Sequence, residues 1–408
     1  MIKNLKIYLL TFAVILLYAI IFESGLIKYL ALGSDYLFAD FIDIPKALNC
    51  LNLNYNSYSD TFDGPSEYGC KGFSYGPIIL YAFPLKKTFF YFYENFLPLI
   101  LIIIFSLSVI KIINPKNKLG YVICFLSLFN PATLLMIERM NIDILFAIIL
   151  IFISYNKIYF LNWILVIYSF LGKFYPFIYG LIIFIENPIR KKFHFLLIFF
   201  FIIFSSLIFI YFFWEEYIYI MDSNWAMGLH YLFSIKTVPK IINELFNIHY
   251  GLLILIFLIL FIIFNLKLIK KLPNKLFDLD FTFNEKLFFL SSNTLVFCFL
   301  VFSNAYYREV FIILSIPYLI SLINYKTVKI IVSLILAKFI FNFIYIIFLN
   351  FETFYYENDL RIYTSSFLLI TLIKGIIDFI LVGSISSIVL VKNLKLLNHC
   401  FNTNFLKF

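Results

Sequence analysis

The chain has 408 residues, of which 63% are hydrophobic and only 13% charged. Soluble globular proteins carry about 25% charged residues, so the composition excludes an ordinary soluble domain and points to a polytopic membrane protein in a lipid bilayer. The net charge of +9 does not argue for a nucleic-acid partner, because Lys and Arg fall in short clusters between apolar runs, where orientation signals belong.

A spanning helix needs about 20 apolar residues, within a range of about 17 to 25. Lys3 and Lys6 precede the first apolar run, Ile7 to Phe22, and Glu23 and Lys28 follow it. "ALG" at Ala31 to Gly33 is a poor cleavage site, so the run reads as a retained span near 5–27 and not as a signal peptide. A long loop, 28–92, comes next. Within it "YGPIILYAFPL" (Tyr75 to Leu85) is too short to span and reads as an interfacial helix, or as the first part of a longer, kinked span. Further spans are expected near 93–113, 119–136, 141–156, 158–172, 174–188, 193–214, 250–269, 286–303, 308–324, 327–349 and 366–391, with a second long loop over 215–249. The expected fold is therefore an all-α bundle of about twelve transmembrane helices in one domain. Several middle spans are short and require close packing, a thinned bilayer or broken helices.

With the N-terminus inside, most of the 32 Lys and Arg residues fall in the inner loops and most of the 23 acids outside. This bias predicts cytoplasmic termini. No internal repeat is evident. The five cysteines show no metal-type spacing and the four histidines are scattered, so no metal is expected. "DLD" at Asp278 to Asp280 lies in an inner loop and reads as a solvated pair. Cys50 and Cys70 share the first outer loop, where an oxidising exterior permits a disulfide; two free thiols are the alternative.

Under this topology four polar clusters collect on the outer side. Asp35, Asp40 and Asp43 open the first outer loop, and Glu138, Arg139, Asn141 and Asp143 form the turn between the third and fourth spans. Lys173 sits in "GKFYPF", and Tyr307 and Arg308 in "SNAYYRE". Each has a plainer reading. Asn141 and Asp143 can cap the following helix, and Arg139 can pair with Asp143 at i,i+4. Lys173 can be an interfacial anchor, and Arg308 can pair with Glu309. His230 and His249 lie in the second long loop.

Five stretches in order resemble the GT-C superfamily of membrane glycosyltransferases, and within it the glycosyltransferase family 87-like proteins. "FADFIDIPKAL" (Phe38 to Leu48) resembles the family's "DF" segment, and "YGPIILYAFPL" its Pro-bounded amphipathic segment. "NPATLLMIERMNIDILFAIIL" (Asn130 to Leu150) is similar to an "NP…ERGN-D" pattern. "GKFYPF" (Gly172 to Phe177) and "SNAYYREVFIILSIP" (Ser303 to Pro317) complete the set. The family's usual glycine after the arginine is Met140 here, "SNWAMGLHYLF" (Ser223 to Phe233) matches only loosely, and the last 90 or so residues show no match.

The resemblance implies a polyprenyl-phosphate sugar as donor and a cell-envelope glycan or glycolipid as acceptor, with no cofactor. It also implies an extracytoplasmic site in a bacterial inner membrane. A carboxylate just outside the first span then serves as general base: Asp40 first, Asp35 second. Cations stabilise the leaving lipid phosphate, with Arg308, Lys173 and Arg139 as candidates in that order. Glu138, Asn141, Asp143, Tyr307 and His230 complete the candidate substrate site. Two other readings compete: an O-antigen-type polysaccharide polymerase or ligase, and a lipid-linked sugar transporter or flippase.

Overall fold

The computed structural model describes residues 2–31, 37–58, 73, 75–81, 89–182, 185, 192–222, 232–279, 282–301, 304–351, 354–357 and 360–401. Helices dominate, because backbone groups in hydrocarbon must find their hydrogen bonds within the segment itself. The first expected span is α1 (Ile2–Glu23), and Gly25, at φ 71, turns the chain into the short α2 (Ile27–Ala31). The first long loop contains α3 (Ala39–Asn52) and α4 (Pro77–Tyr81). A π-helical turn, Phe92–Phe96, leads into α5 (Leu97–Ile113).

The span expected near 119–136 is a broken one: α6 (Lys118–Phe129) and α7 (Pro131–Arg139) meet at a 44° bend. Pro131 has no N–H to continue the ladder. Asn130 restarts it by accepting from the Ala132 N–H at 3.0 Å while its amide donates to Ser127 O at 3.1 Å. The next two spans are the short α8 (Asp143–Tyr155) and α9 (Tyr159–Gly172), of 13 and 14 residues. The span expected near 174–188 opens instead as a 3-10 helix, Tyr175–Leu181, with Pro176 in its first turn.

Beyond it come α10 (Lys192–Phe212), α11 (Trp214–Asp222), β1 (Leu232–Phe233), α12 (Thr237–Phe246) and α13 (Tyr250–Ile269). A 3-10 turn, Asn274–Phe277, precedes α14 (Phe283–Val301). β2 (Asn304–Ala305) runs into a 3-10 turn, Tyr306–Glu309, and then α15 (Val310–Ser321) and α16 (Lys326–Phe351). β3 (Phe354–Glu357) and β4 (Leu360–Tyr363) form a hairpin, and α17 (Ser365–Phe401) closes the described chain.

Among the described residues five helical segments are long and apolar enough to cross a membrane: 5–23, 92–113, 250–269, 326–349 and 365–396. The bent pair α6–α7 makes a sixth if it is one span. These segments are compatible with an integral membrane protein, and α1 and α13 expose Leu, Ile and Phe along their length as a lipid-facing helix does. By this measure the count is below the expected twelve. Residues 143–155, 159–172, 203–212 and 310–321 are apolar but short. α14 is long enough, but buries Glu285, Ser291, Ser292 and Thr294.

The chain forms two compact units. One comprises residues 34–105 and 136–226; its core includes Phe41, Leu48, Phe73, Phe146 and Tyr179. The other comprises residues 1–33, 106–135 and 227–408, with Phe233, Phe288, Phe299, Phe311 and Tyr345 buried inside it. In this second unit β1 and β2 pair antiparallel, Leu232 opposite Ala305 and Phe233 opposite Asn304.

Candidate functional site

In the first unit, α7 ends in a Schellman motif. The Asn141 N–H donates to Met136 O at 3.0 Å and the Met140 N–H to Ile137 O at 3.1 Å. The motif needs a left-handed residue at the position after the cap, usually glycine. Met140 fills it, at φ 48 and fully buried. A second left-handed residue, Phe38 at φ 63, opens α3, and its N–H donates to Glu138 O at 2.6 Å. The start of α3 is thereby tied to the end of α7. Glu138 itself is buried.

These two turns bring Asp40, in the first turn of α3, between Arg139 and Asn141. Asp40 Oδ1 accepts from Arg139 Nε at 2.9 Å and Nη2 at 2.5 Å, and Oδ2 accepts from Asn141 Nδ2 at 2.6 Å. Asn141 Oδ1 caps α8 by accepting from the Asp143 N–H at 3.1 Å, and it also accepts from Lys173 Nζ at 3.1 Å. Lys173 Nζ lies 2.5 Å from Asp143 Oδ1, which also accepts from the Tyr175 hydroxyl at 2.7 Å. The ammonium sits 5.1 Å from the centre of the Tyr75 ring, whose hydroxyl is 3.5 Å from Asn141 Nδ2.

The result is one continuous network, Arg139–Asp40–Asn141–Lys173–Asp143–Tyr175, with two positive and two negative charges. Its ends differ in access. The Arg139 and Asp40 side chains are 36% and 13% exposed, whereas Asp143 is 0% exposed. Of the two carboxylates, only Asp40 has exposed surface.

Five sequence-predicted residues, Asp40, Arg139, Asn141, Asp143 and Lys173, are thus placed together, and the charged ones have different partners from the local ones. Arg139 does not pair with Asp143 at i,i+4; each finds a carboxylate or ammonium from a distant stretch. Lys173 is an ion-pair partner and not a simple interfacial anchor. Asn141 and Asp143 do organise the start of α8. Tyr75 and Tyr175 were not singled out from the sequence, although both stand in the stretches that carry the family resemblance. Asp35, His230, Cys70 and the side chain of Tyr307 lie outside the described residues.

Close backbone contact supports the cluster. The Gly76 N–H donates to Gly172 O at 3.0 Å, so α4 and the end of α9 touch directly. The buried Tyr58 donates its hydroxyl to Tyr75 O at 3.0 Å. Burial, and then the nearby Tyr217 and Glu216, push the Tyr58 hydroxyl well above its usual range, so it acts as a neutral donor. Farther along α3, Cys50 is engaged in a disulfide.

In the second unit, Arg308 is half-buried in the 3-10 turn after β2. Its neighbour Glu309 is buried and accepts from Asn342 Nδ2 at 2.8 Å, with Lys338 Nζ at 3.1 Å. The i,i+4 pair Lys374–Asp378 forms at 3.0 Å. Asp278 pairs with Lys275 at 3.5 Å, both well exposed, and Asp280 lies outside the described residues. His249 caps α13, its Nδ1 accepting from the Leu252 N–H at 3.4 Å. Among the described residues no group of three His, Cys, Asp or Glu side chains is placed to hold a metal. Comparison with protein-family models, curated proteins and solved structures finds no match.

Proposed function

We propose that this protein is a GT-C-like membrane glycosyltransferase. It moves a sugar from a polyprenyl-phosphate donor to a hydroxyl of a cell-envelope glycan or glycolipid. The observation that carries the reading is the Asp40 network. Four of the five stretches that resemble the family supply its members: Asp40, Tyr75, Arg139 with Asn141 and Asp143, and Lys173 with Tyr175. Sequence segments up to about a hundred residues apart have no structural need to meet at a carboxylate that stays partly exposed.

In this reading Asp40 is the general base. The acceptor oxygen bonds to the anomeric carbon as its proton passes to Asp40. The bond from that carbon to the lipid phosphate oxygen breaks, and the phosphate leaves with the electron pair. Arg139 and Asn141 aim the Asp40 carboxylate through three hydrogen bonds, and because a carboxylate offers about four acceptor sites about one is left for the acceptor hydroxyl. Arg139 and Lys173 are each committed to a carboxylate and act as positioning residues. The family resemblance assigns the phosphate contact to Arg308, a role that suits a guanidinium. The family resemblance further implies inversion at the anomeric carbon, about twelve spans, an extracytoplasmic site and cytoplasmic termini in an inner membrane.

Asp40→Asn tests this. The variant keeps shape and most hydrogen bonds but cannot take the proton. Transfer from a polyprenyl-phosphate sugar should fall by at least about a hundredfold while the protein inserts and purifies normally. Full activity in Asp40→Asn with loss in Asp35→Asn would move the base to Asp35. Full activity in both would end the enzyme reading.

One observation favours a lipid-linked sugar transporter or flippase instead: four charged side chains buried among α15, α16 and α17. Intramembrane charges often line transport paths. The charges here neutralise one another in pairs, which ranks this reading second. Reconstituted vesicles separate the two, since a transporter moves the lipid-linked sugar without forming a glycosidic bond.

A further inference from the structure

Glu309, Lys338, Lys374 and Asp378 are buried almost completely in the second unit. Lys338 Nζ lies 2.5 Å from Asp378 Oδ1 and 3.1 Å from Glu309 Oε1. Lys374 Nζ lies 3.0 Å from Asp378 Oδ2 and 3.5 Å from Glu309 Oε1. Two cations and two carboxylates leave the group neutral. Simple adhesion between α16 and α17 does not require it, because well-packed apolar side chains usually hold helices at least as well as buried ion pairs. What ions add is direction.

That direction is visible at Lys374. Besides the two carboxylates, its Nζ donates to Leu232 O at 3.1 Å. Leu232 belongs to β1, which pairs with Asn304 and Ala305 of β2. β2 runs straight into the turn Tyr306–Glu309, and Glu309 returns to Lys374. Lys374 therefore closes a ring through β1, β2 and the turn, holding it at both ends. Asn342 braces the same carboxylate from α16, donating to Glu309 Oε2 at 2.8 Å. Arg308 lies inside this ring, one residue before the acid.

We propose that the Lys374–Glu309 clamp is the positioning device for Arg308, and that the Lys338–Asp378 pair braces it within the buried site, Lys338 holding Glu309 and Asp378 holding Lys374. The clamp sets the turn so that the Arg308 guanidinium meets a lipid phosphate; this last step rests on the role given to Arg308 above.

Two double variants test the clamp, each removing one positive and one negative charge from the same buried group. Lys374→Met/Glu309→Gln breaks the ring. Lys338→Met/Asp378→Asn leaves the Lys374 bonds to Leu232 and Glu309 in place. Hydrogen exchange across residues 304–309 should be about tenfold faster in the first double than in the second. Affinity for a short-chain polyprenyl phosphate should fall by about tenfold in the first alone, with the KM for the acceptor unchanged. Equal exchange and equal phosphate affinity in the two doubles would overturn the proposal, because a purely structural quartet makes them alike. Faster exchange in the first double, together with normal phosphate binding by both it and Arg308→Ala, would instead overturn the phosphate role of Arg308 and leave the clamp standing. If the first double does not insert, Glu309→Asp takes its place. It keeps the charge but shortens the reach, and unchanged exchange there would equally overturn the proposal.

Discussion

Met140 holds a left-handed backbone at φ 48 with its side chain fully buried. For a residue with a Cβ this conformation costs about 1–2 kcal/mol. The Schellman bonds and the Phe38–Glu138 bond hold it there, and the outcome is the placement of Arg139 and Asn141 on either side of Asp40. Two terms oppose each other when Met140 is shortened. Losing the buried side chain destabilises by about 2–5 kcal/mol, whereas glycine alone relieves the backbone. Met140→Gly should therefore be more stable than Met140→Ala by about 1 kcal/mol, the reverse of the usual order inside helices. Thermal unfolding of the two variants in detergent decides it; an alanine variant equal or superior to the glycine one would mean the turn is not strained. The sequence at this position suggested only a departure from a family glycine. That the backbone keeps the glycine conformation is a property of the surrounding hydrogen bonds, which no residue type announces.

At the level of elements, α4 and α9 approach backbone to backbone where Gly76 meets Gly172. A Cβ on Gly76 would run into the carbonyl of Leu171, and one on Gly172 into Ile79 and Phe146. The obstacle to Gly76 is backbone and not a flexible side-chain tip, so the helix itself has to move. Gly76→Ala should destabilise by about 1–3 kcal/mol and carry Tyr75 away from the Lys173 ammonium, lowering the proposed transfer activity as well. A variant with unchanged melting and activity would show that α4 has room to slide. Helix positions were legible in the sequence where a long apolar run acts alone, as in α1 and α13. They were less so where proline intervenes. Pro131 breaks one expected span into α6 and α7, and Pro176 starts a 3-10 helix where a span was expected. α14 was expected as an ordinary span, yet it is lined with buried polar groups that hydropathy averages away.

For the whole molecule, the Lys and Arg bias predicts that both termini lie in the cytoplasm. That requires an even number of crossings, whatever becomes of the short helices. Fusions of a reporter active only in the cytoplasm should be active at both Met1 and Phe408. Activity at one end alone would demand an odd count and would shift at least one polar cluster to the other side. Five long apolar segments, or six with the bent pair, were found among the described residues. The remaining crossings of the twelve-span proposal have to come from helices such as α8 and α9, too short to cross an average bilayer without thinning or tilt of their neighbours.

The sequence by itself determined the membrane character, the longest apolar helices and the cap at the start of α8. All of these are written within a window of a few turns, because hydrophobic runs and caps depend only on near neighbours. Only the tertiary structure decided that Arg139 belongs to Asp40 across 99 residues, that Lys173 belongs to Asp143, and that Glu309 meets two lysines from different helices. A buried charge takes whichever opposite charge the fold brings within reach. Desolvation makes leaving it unpaired far costlier than forgoing a local partner, and that choice is made by packing and not by spacing along the chain.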